Sequence, residues 1–176
     1  TVGPSWLDGC RSLVSGRFDL PWLRLVGSAW MRGCVQLAGV QFTLLPRLEV
    51  VAPGWLTGCV ALRVVGFENL GHLTRVGDGW LEGCESLALV EFRGLPMLRN
   101  VGNMWLGRCT GLERVCFAGL HGLKSVGGYW MYGCGALMNV NFVGLDRLEM
   151  VGPSWLHECG SIRSVDFSGL SQLRTV

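Results

Sequence analysis

Cysteine is the residue type in this chain with the most varied chemistry, and seven of its eight cysteines recur in one register. Zinc sites need close ligand pairs such as Cys-x-x-Cys, and the sequence contains none. An odd ladder of cysteines whose side chains point the same way cannot pair completely as disulfides. The pattern therefore favours buried thiols that bond to the backbone of a turn. They are Cys10, Cys34, Cys59, Cys84, Cys109, Cys134 and Cys159.

Other groups suited to catalysis are scattered along the chain. His72, His121 and His157 take three different positions relative to the cysteines, so they predict surface residues rather than a cluster. The sequence has no GxGxxG, P-loop, GxSxG or HExxH motif, and no carboxylate pair in a setting that would separate two pKa values. We therefore expect no enzymatic activity, no cofactor and no metal site.

The cysteine spacing belongs to an internal repeat, which has to be understood before any local motif. Seven copies, each 25 residues long except for a first copy of 24, share the consensus VGxxW(L/M)xGCxxLxxVxFxGLxxLxx. One copy cannot bury its apolar side chains, whereas stacked copies cover one another, so the repeat predicts a solenoid of seven coils. The copies begin at Val2, Val26, Val51, Val76, Val101, Val126 and Val151.

The segment LxxVxF predicts the principal strand of each coil. In residues 87–92, Val90 and Phe92 share one face of the strand while Leu89 and Glu91 point the other way. All seven phenylalanines of the chain hold one position of the repeat, which predicts a core ladder in a parallel principal sheet. The following GLxxLxxVG has leucines three residues apart, which favours a short extended or 3-10 return segment and little α-helix. We expect positive φ at the corner glycines Gly94, Gly119, Gly144 and Gly169.

A tryptophan ladder accompanies the phenylalanines. Packing together with one indole N–H bond to a turn carbonyl explains a tryptophan in every coil. An exposed aromatic stripe that stacks on sugars or bases is the alternative. The ladder comprises Trp6, Trp30, Trp55, Trp80, Trp105, Trp130 and Trp155.

The repeat resembles the leucine-rich repeats of the BspA-like, or Treponema-type, class, whose units read approximately LxxIxIPxxVxxIGxxAFxGCxxL. Residues 87–109, LALVEFRGLPMLRNVGNMWLGRC, match the strand, the Val-Gly step and the closing cysteine, although Arg108 replaces the usual glycine. Trp-Leu or Trp-Met stands where the class has Ala-Phe, which roughly conserves core volume. The resemblance implies an α/β leucine-rich-repeat solenoid and a binding or adhesion module at the cell surface or secreted.

Composition limits the remaining choices. Hydrophobic residues make up 49% of the 176 residues, which predicts one folded domain over 1–176 rather than disorder. No apolar stretch is long enough for a membrane span, and a net charge of +2 does not by itself imply a nucleic-acid partner. Because neither end carries a polar capping copy, we expect the chain to be a fragment of a longer one.

The outward columns of the principal sheet are the predicted binding surface, because they vary between coils while the core ladders do not. An apolar centre with a charged rim is typical of protein contacts. A solvated face without a ligand is the alternative. Cys116, the cysteine outside the ladder, falls on this face as an exposed thiol. The candidate residues are Val64, Leu89, Glu91, Arg114, Cys116, Asn139 and Asn141.

The sequence is compatible with three functions. The first is a non-enzymatic module that binds a protein or peptide on the principal sheet. The second is a scaffold subunit of a larger intracellular assembly. The third is an adhesin for acidic glycans on a basic stripe of the return segments, interrupted by Glu49 and Glu149. That stripe comprises Arg47, Arg75, Arg99, Lys124, Arg147 and Arg174.

Overall fold

Stacked coils wind into a solenoid in the computed structural model, which describes residues 1–176. It contains thirteen short parallel strands and no helix, so the repeat forms strands and turns alone. The principal strands are β1 (Ser15–Asp19), β3 (Gly39–Leu44), β5 (Val64–Phe67), β7 (Leu89–Glu91), β9 (Arg114–Cys116), β11 (Asn139–Asn141) and β13 (Ser164–Asp166). The return strands are β2 (Leu25–Val26), β4 (Val50–Val51), β6 (Arg75–Val76), β8 (Asn100–Val101), β10 (Ser125–Val126) and β12 (Met150–Val151).

The principal strands pair in the register that the alternation of side chains predicts. Val90 and Phe92 are buried, whereas Leu89 is exposed on the opposite face. The pairing of the principal strands is divided into three groups, β1-β3-β5, β7-β9 and β11-β13. One isolated bridge, between Phe67 and Phe92, joins the first two groups, and no pairing joins β9 to β11.

The two-residue return strands form the longer continuous sheet. All six pair in the order β12-β10-β8-β6-β4-β2, so the valine that opens each copy lies in an extended segment from the second copy to the seventh. Before each step, the leucines close a tight turn, as where the Leu98 N–H donates to the Leu95 carbonyl at 3.1 Å. The return is therefore a turn followed by a strand.

The core consists of two interleaved aromatic ladders. Neighbouring indoles stack with centroids 5.2 to 5.9 Å apart and planes within 11° of parallel. Each phenylalanine ring packs edge-on or tilted against the indoles, as Phe92 does against Trp80 at 4.9 Å. Trp30, Trp55, Trp80, Trp105 and Trp130 are fully buried, which confirms the core interpretation of this ladder.

The expected hydrogen bond from each indole to a turn carbonyl is wrong for these five tryptophans. Their Nε1 atoms are buried without a hydrogen-bond partner. The turn carbonyls accept bonds from main-chain N–H groups and thiols of the next coil, and the buried indole edge reaches none of them. The Trp55 carbonyl, for example, accepts the Leu81 N–H at 3.0 Å. The indoles are therefore held by aromatic packing rather than by their polar edge.

The turn after each tryptophan places a large residue in the left-handed region. The Leu or Met that follows the tryptophan has φ between 54° and 62° in all seven copies. In six copies its carbonyl accepts a bond from the cysteine thiol of the next coil, at 3.0 to 3.3 Å. The predicted role of the ladder thiols as donors to the turn backbone is thus confirmed.

The corner glycines meet two different needs. Gly94 and Gly144 have φ of 69° and 96°, as expected, but Gly119 and Gly169 do not have positive φ. At Gly119 a Cβ atom would collide with the Phe92 carbonyl oxygen of the preceding coil. There the close approach of two coils, and not backbone conformation, selects glycine.

We expect Arg108→Gly to stabilise the protein by about 0.5 to 1 kcal/mol. Arg108 has φ of 58° at a position where five other copies have glycine with φ of 66° to 71°. A left-handed residue with a side chain costs about 1 to 2 kcal/mol, of which the added flexibility of unfolded glycine offsets about half. Urea unfolding measures the change. Gly83→Ala, at the same position of its own coil, should destabilise, and a destabilised Arg108→Gly would contradict the strain assigned here.

Candidate functional site

The seven predicted binding residues lie on the outward face of the principal sheet, which we call the outward face. Strand pairing places them in two columns. Leu89 neighbours Arg114 and Glu91 neighbours Cys116, while Asn139 and Asn141 pair with Ser164 and Asp166 of the last coil. Pairing is interrupted between β9 and β11, and we describe the face as an N-terminal part before this break and a C-terminal part across and beyond it, with Arg114 bordering both.

The N-terminal part is apolar at its centre. Val64 is 60% exposed and Leu89 is 43% exposed, in successive coils of one column. Glu91 beside them forms a salt bridge to Arg93 at 2.9 Å, and Arg114 is exposed on the next coil. Water therefore reaches two large aliphatic side chains that are bordered by both signs of charge.

The C-terminal part is a polar hollow of about 330 Å³ that we call the amide hollow. The side chains of Arg114, Asn139, Asn141, Ser164 and Asp166 line it. The Ser164 hydroxyl donates to Asn139 Oδ1 at 2.6 Å. The main-chain N–H of Ser168 donates to Asp166 Oδ1 at 2.9 Å, and this bond lowers the pKa of the Asp166 carboxyl.

Cys116 lies on the outward face, apart from the ladder cysteines, but it is half-buried, so the prediction of a fully exposed thiol is wrong. The ladder thiols have a different environment. Burial raises the pKa of Cys59 and of Cys109 to about 12, although a hydrogen bond to the backbone acts in the opposite direction on each thiol. All eight cysteines are free. Reactivity toward alkylating reagents should therefore be greater at Cys116 than at the buried thiols of the ladder.

A second concave surface, on the return sheet, was missed in the sequence. It is a groove of about 790 Å³ lined in part by Gly77, Gly102 and Gly127. The variable residue before the Val-Gly step, such as Arg75 or Asn100, also lines the groove. The signal was available, because this column varies between coils just as the outward face does.

The basic stripe is less continuous in the structure than in the sequence. Lys124 forms a salt bridge to Glu149 at 3.1 Å, and the guanidinium of Arg47 lies 4.2 Å from the centre of the Trp22 ring. Arg75 lies on the return strand β6 and lines the groove. The opposite charge of Glu149 within the row weakens its attraction for a polyanion.

Metal ligation and membrane insertion have simple structural requirements. No group of three or more His, Cys, Asp or Glu side chains is placed to hold a metal ion. A helix long and apolar enough to cross a bilayer does not occur in the structure.

Comparisons with known proteins bear on the fold. No family model and no curated protein matches the sequence. The chain is similar to a solved leucine-rich repeat protein of T. pallidum, with 18% identity and a TM-score of 0.72, over 92% of this chain and 78% of that one. A leucine-rich repeat protein from Bacteroides ovatus matches with 18% identity and a TM-score of 0.43, over 86% of this chain and 48% of that one. The solenoid and its T. pallidum neighbour together show that this chain has the leucine-rich-repeat fold.

Proposed function

We propose that the chain is a non-enzymatic module that binds a protein or peptide on the outward face. The carrying observation is the exposure of Val64 and Leu89 next to Glu91 and Arg114. Apolar centres with polar rims are the usual anatomy of protein contacts, and large aliphatic side chains gain free energy when a partner removes them from water. The leucine-rich-repeat fold supports this proposal because solenoids present extended surfaces for binding.

Adhesion at a cell surface is the finer form of the proposal, and it rests on the resemblance of the repeat to the BspA-like class. A scaffold subunit would use the same apolar centre in a permanent contact. The glycan alternative is weaker, since Lys124 is already paired with Glu149 in the basic stripe. Retention on heparin that is lost at moderate salt would favour the glycan alternative over a protein partner.

The test uses a phage-displayed random peptide library panned against the wild-type chain. We expect the double variant Val64→Asp, Leu89→Asp to bind the selected peptides at least about 30-fold more weakly, because truncated or charged central contacts cost about 2 kcal/mol or more. The variant should remain folded, since surface substitutions usually change stability by no more than about 0.5 kcal/mol.

The control for this test is the double variant Val35→Asp, Met97→Asp. Met97 is exposed to the same extent as Leu89, 43%, but both control residues lie outside the principal strands. It should bind the selected peptides like wild type. Equal weakening by both double variants, or none by Val64→Asp with Leu89→Asp, would contradict the outward face as the site.

A further inference from the structure

We infer that the amide hollow binds the main chain of an extended peptide segment through the side-chain amides of Asn139 and Asn141. This inference rests on the proposed function, because it names the ligand class for the C-terminal part of the same face. Four features of the hollow support it: unused donors, their spacing, the break in the sheet, and two unpaired charges of opposite sign.

The first feature is that both asparagines have donors to spare. Asn139 uses its Oδ1 to accept the Ser164 hydroxyl, and Asn141 uses its Oδ1 to accept the Val143 N–H at 3.2 Å. Neither Nδ2 atom has a partner within the protein, and both side chains are exposed. Each amide therefore offers N–H groups to an acceptor on a ligand, while its oxygen fixes its orientation.

The second feature is the spacing of these donors. Asn139 and Asn141 are two residues apart on one strand, β11, so they project from the same face about 6.6 Å apart. Carbonyl groups of residues i and i+2 on one side of an extended chain have the same spacing, since a strand rises about 3.3 Å per residue. The two amides thus match alternate carbonyls of a peptide that runs along β11.

The third feature is the interruption of the principal sheet. No pairing joins β9 to β11, and the hollow of about 330 Å³ lies across this break. The hollow has Arg114 of β9 on one side and Asp166 of β13 on the other. A peptide strand can therefore lie in the hollow close to the amides.

The fourth feature is charge. Arg114 lies in the row of Asn139, one coil before it, and Asp166 lies in the row of Asn141, one coil after it. Neither forms a salt bridge within the protein. In an extended peptide whose carbonyls point down, successive side chains point to alternate sides. The best ligand therefore has an acidic residue near Arg114 and a basic residue three positions away near Asp166.

The probe is the N-acetylated, C-amidated peptide Thr-Glu-Thr-Thr-Lys-Thr. It is titrated into the ¹⁵N-labelled chain up to about 1 mM, so that NMR detects binding with a Kd as weak as about 1 mM. We expect the side-chain NH2 signals of Asn139 and Asn141 to shift. A neutral peptide with glutamine in place of Glu and Lys should bind several-fold more weakly. Absence of shifts at both asparagines, or shifts confined to the groove on the return sheet, would overturn the inference.

Matched variants separate the amide role from a structural one. Asn139→Asp with Asn141→Asp keeps the oxygens that accept the internal bonds and removes the NH2 donors, so binding should weaken about tenfold or more while the thermal midpoint stays close to wild type. Gln41→Glu makes the same exchange on β3 of the outward face and should leave binding unchanged. Unchanged affinity of the double variant would overturn the inference.

The same data distinguish the inference from the proposed function. Phage-selected peptides that lose binding to Val64→Asp with Leu89→Asp would uphold the outward face as the site. If the hexapeptide then left Asn139 and Asn141 unperturbed, only the peptide chemistry assigned to the hollow would be wrong.

Discussion

Phe92→Ala is expected to lower the free energy of unfolding by about 3 to 5 kcal/mol. The Phe92 ring is fully buried in a central coil, with Trp80 and Trp105 at centroid distances of 4.9 and 5.0 Å. Its removal leaves a cavity that stacked coils cannot close without breaking the spacing of both ladders, and it also removes several aromatic contacts. Because small domains are stable by about 5 to 15 kcal/mol, the loss should be evident in urea unfolding followed by tryptophan fluorescence.

Phe167→Ala supplies the control for that experiment. Phe167 holds the same position of the repeat in β13 but is 54% exposed. The substitution removes the same atoms from a site that is partly exposed to solvent, so it should lower the free energy of unfolding by about 1.5 kcal/mol or less. If Phe92→Ala proved no more damaging than Phe167→Ala, the aromatic ladders would not be the main source of stability.

Alkaline pH is expected to unfold the protein through its cysteine ladder. Burial raises the pKa of Cys59 and Cys109 from 9.0 to about 12, and burial raises the pKa of Cys84 well above its ordinary value too. The unfolded chain loses these protons near pH 9 while the folded chain keeps them, so stability is fully present below pH 9 and falls toward pH 12. Each pKa unit corresponds to about 1.4 kcal/mol, which gives on the order of 4 kcal/mol for one such thiol by pH 12.

The measurement is the urea midpoint at a series of pH values from 7 to 11 in the presence of a reductant. A double variant Cys59→Ala, Cys109→Ala should lose stability at neutral pH but show a shallower decline above pH 9. A wild-type midpoint that does not fall between pH 9 and 11 would show that the thiols ionise equally in both states.

The fold was largely predictable because the repeat supplies seven comparisons within one chain. Alternation of Val90 and Phe92 with Leu89 and Glu91 sets the register of the strands, and the structure has that register. The lone indole N–H groups were not predictable, because whether a turn carbonyl is free depends on the bonds that the next coil makes. The left-handed φ of residues such as Leu81 is also invisible in a pattern that reads only as apolar.

The site was predictable only as a face. Outward columns follow from the strand register, so the sequence assigns Arg114, Asn139 and Asn141 to one face of the sheet. The amide hollow lies across the break between β9 and β11, and the residues of those strands do not indicate that pairing is lost there. The groove lined by Gly102 was not predicted: its column varies between coils, but two-residue return strands are too short for periodicity to assign that column to a face.

Hydrogen–deuterium exchange with a phage-selected peptide tests most directly whether ligands bind the outward face. We predict that the bound peptide slows exchange in residues 89–91, 114–116 and 139–141 and leaves residues 75–78, 100–103 and 125–128 unchanged. Slower exchange confined to the second set of residues would place the ligand in the groove on the return sheet, and it would contradict ligand binding at the outward face.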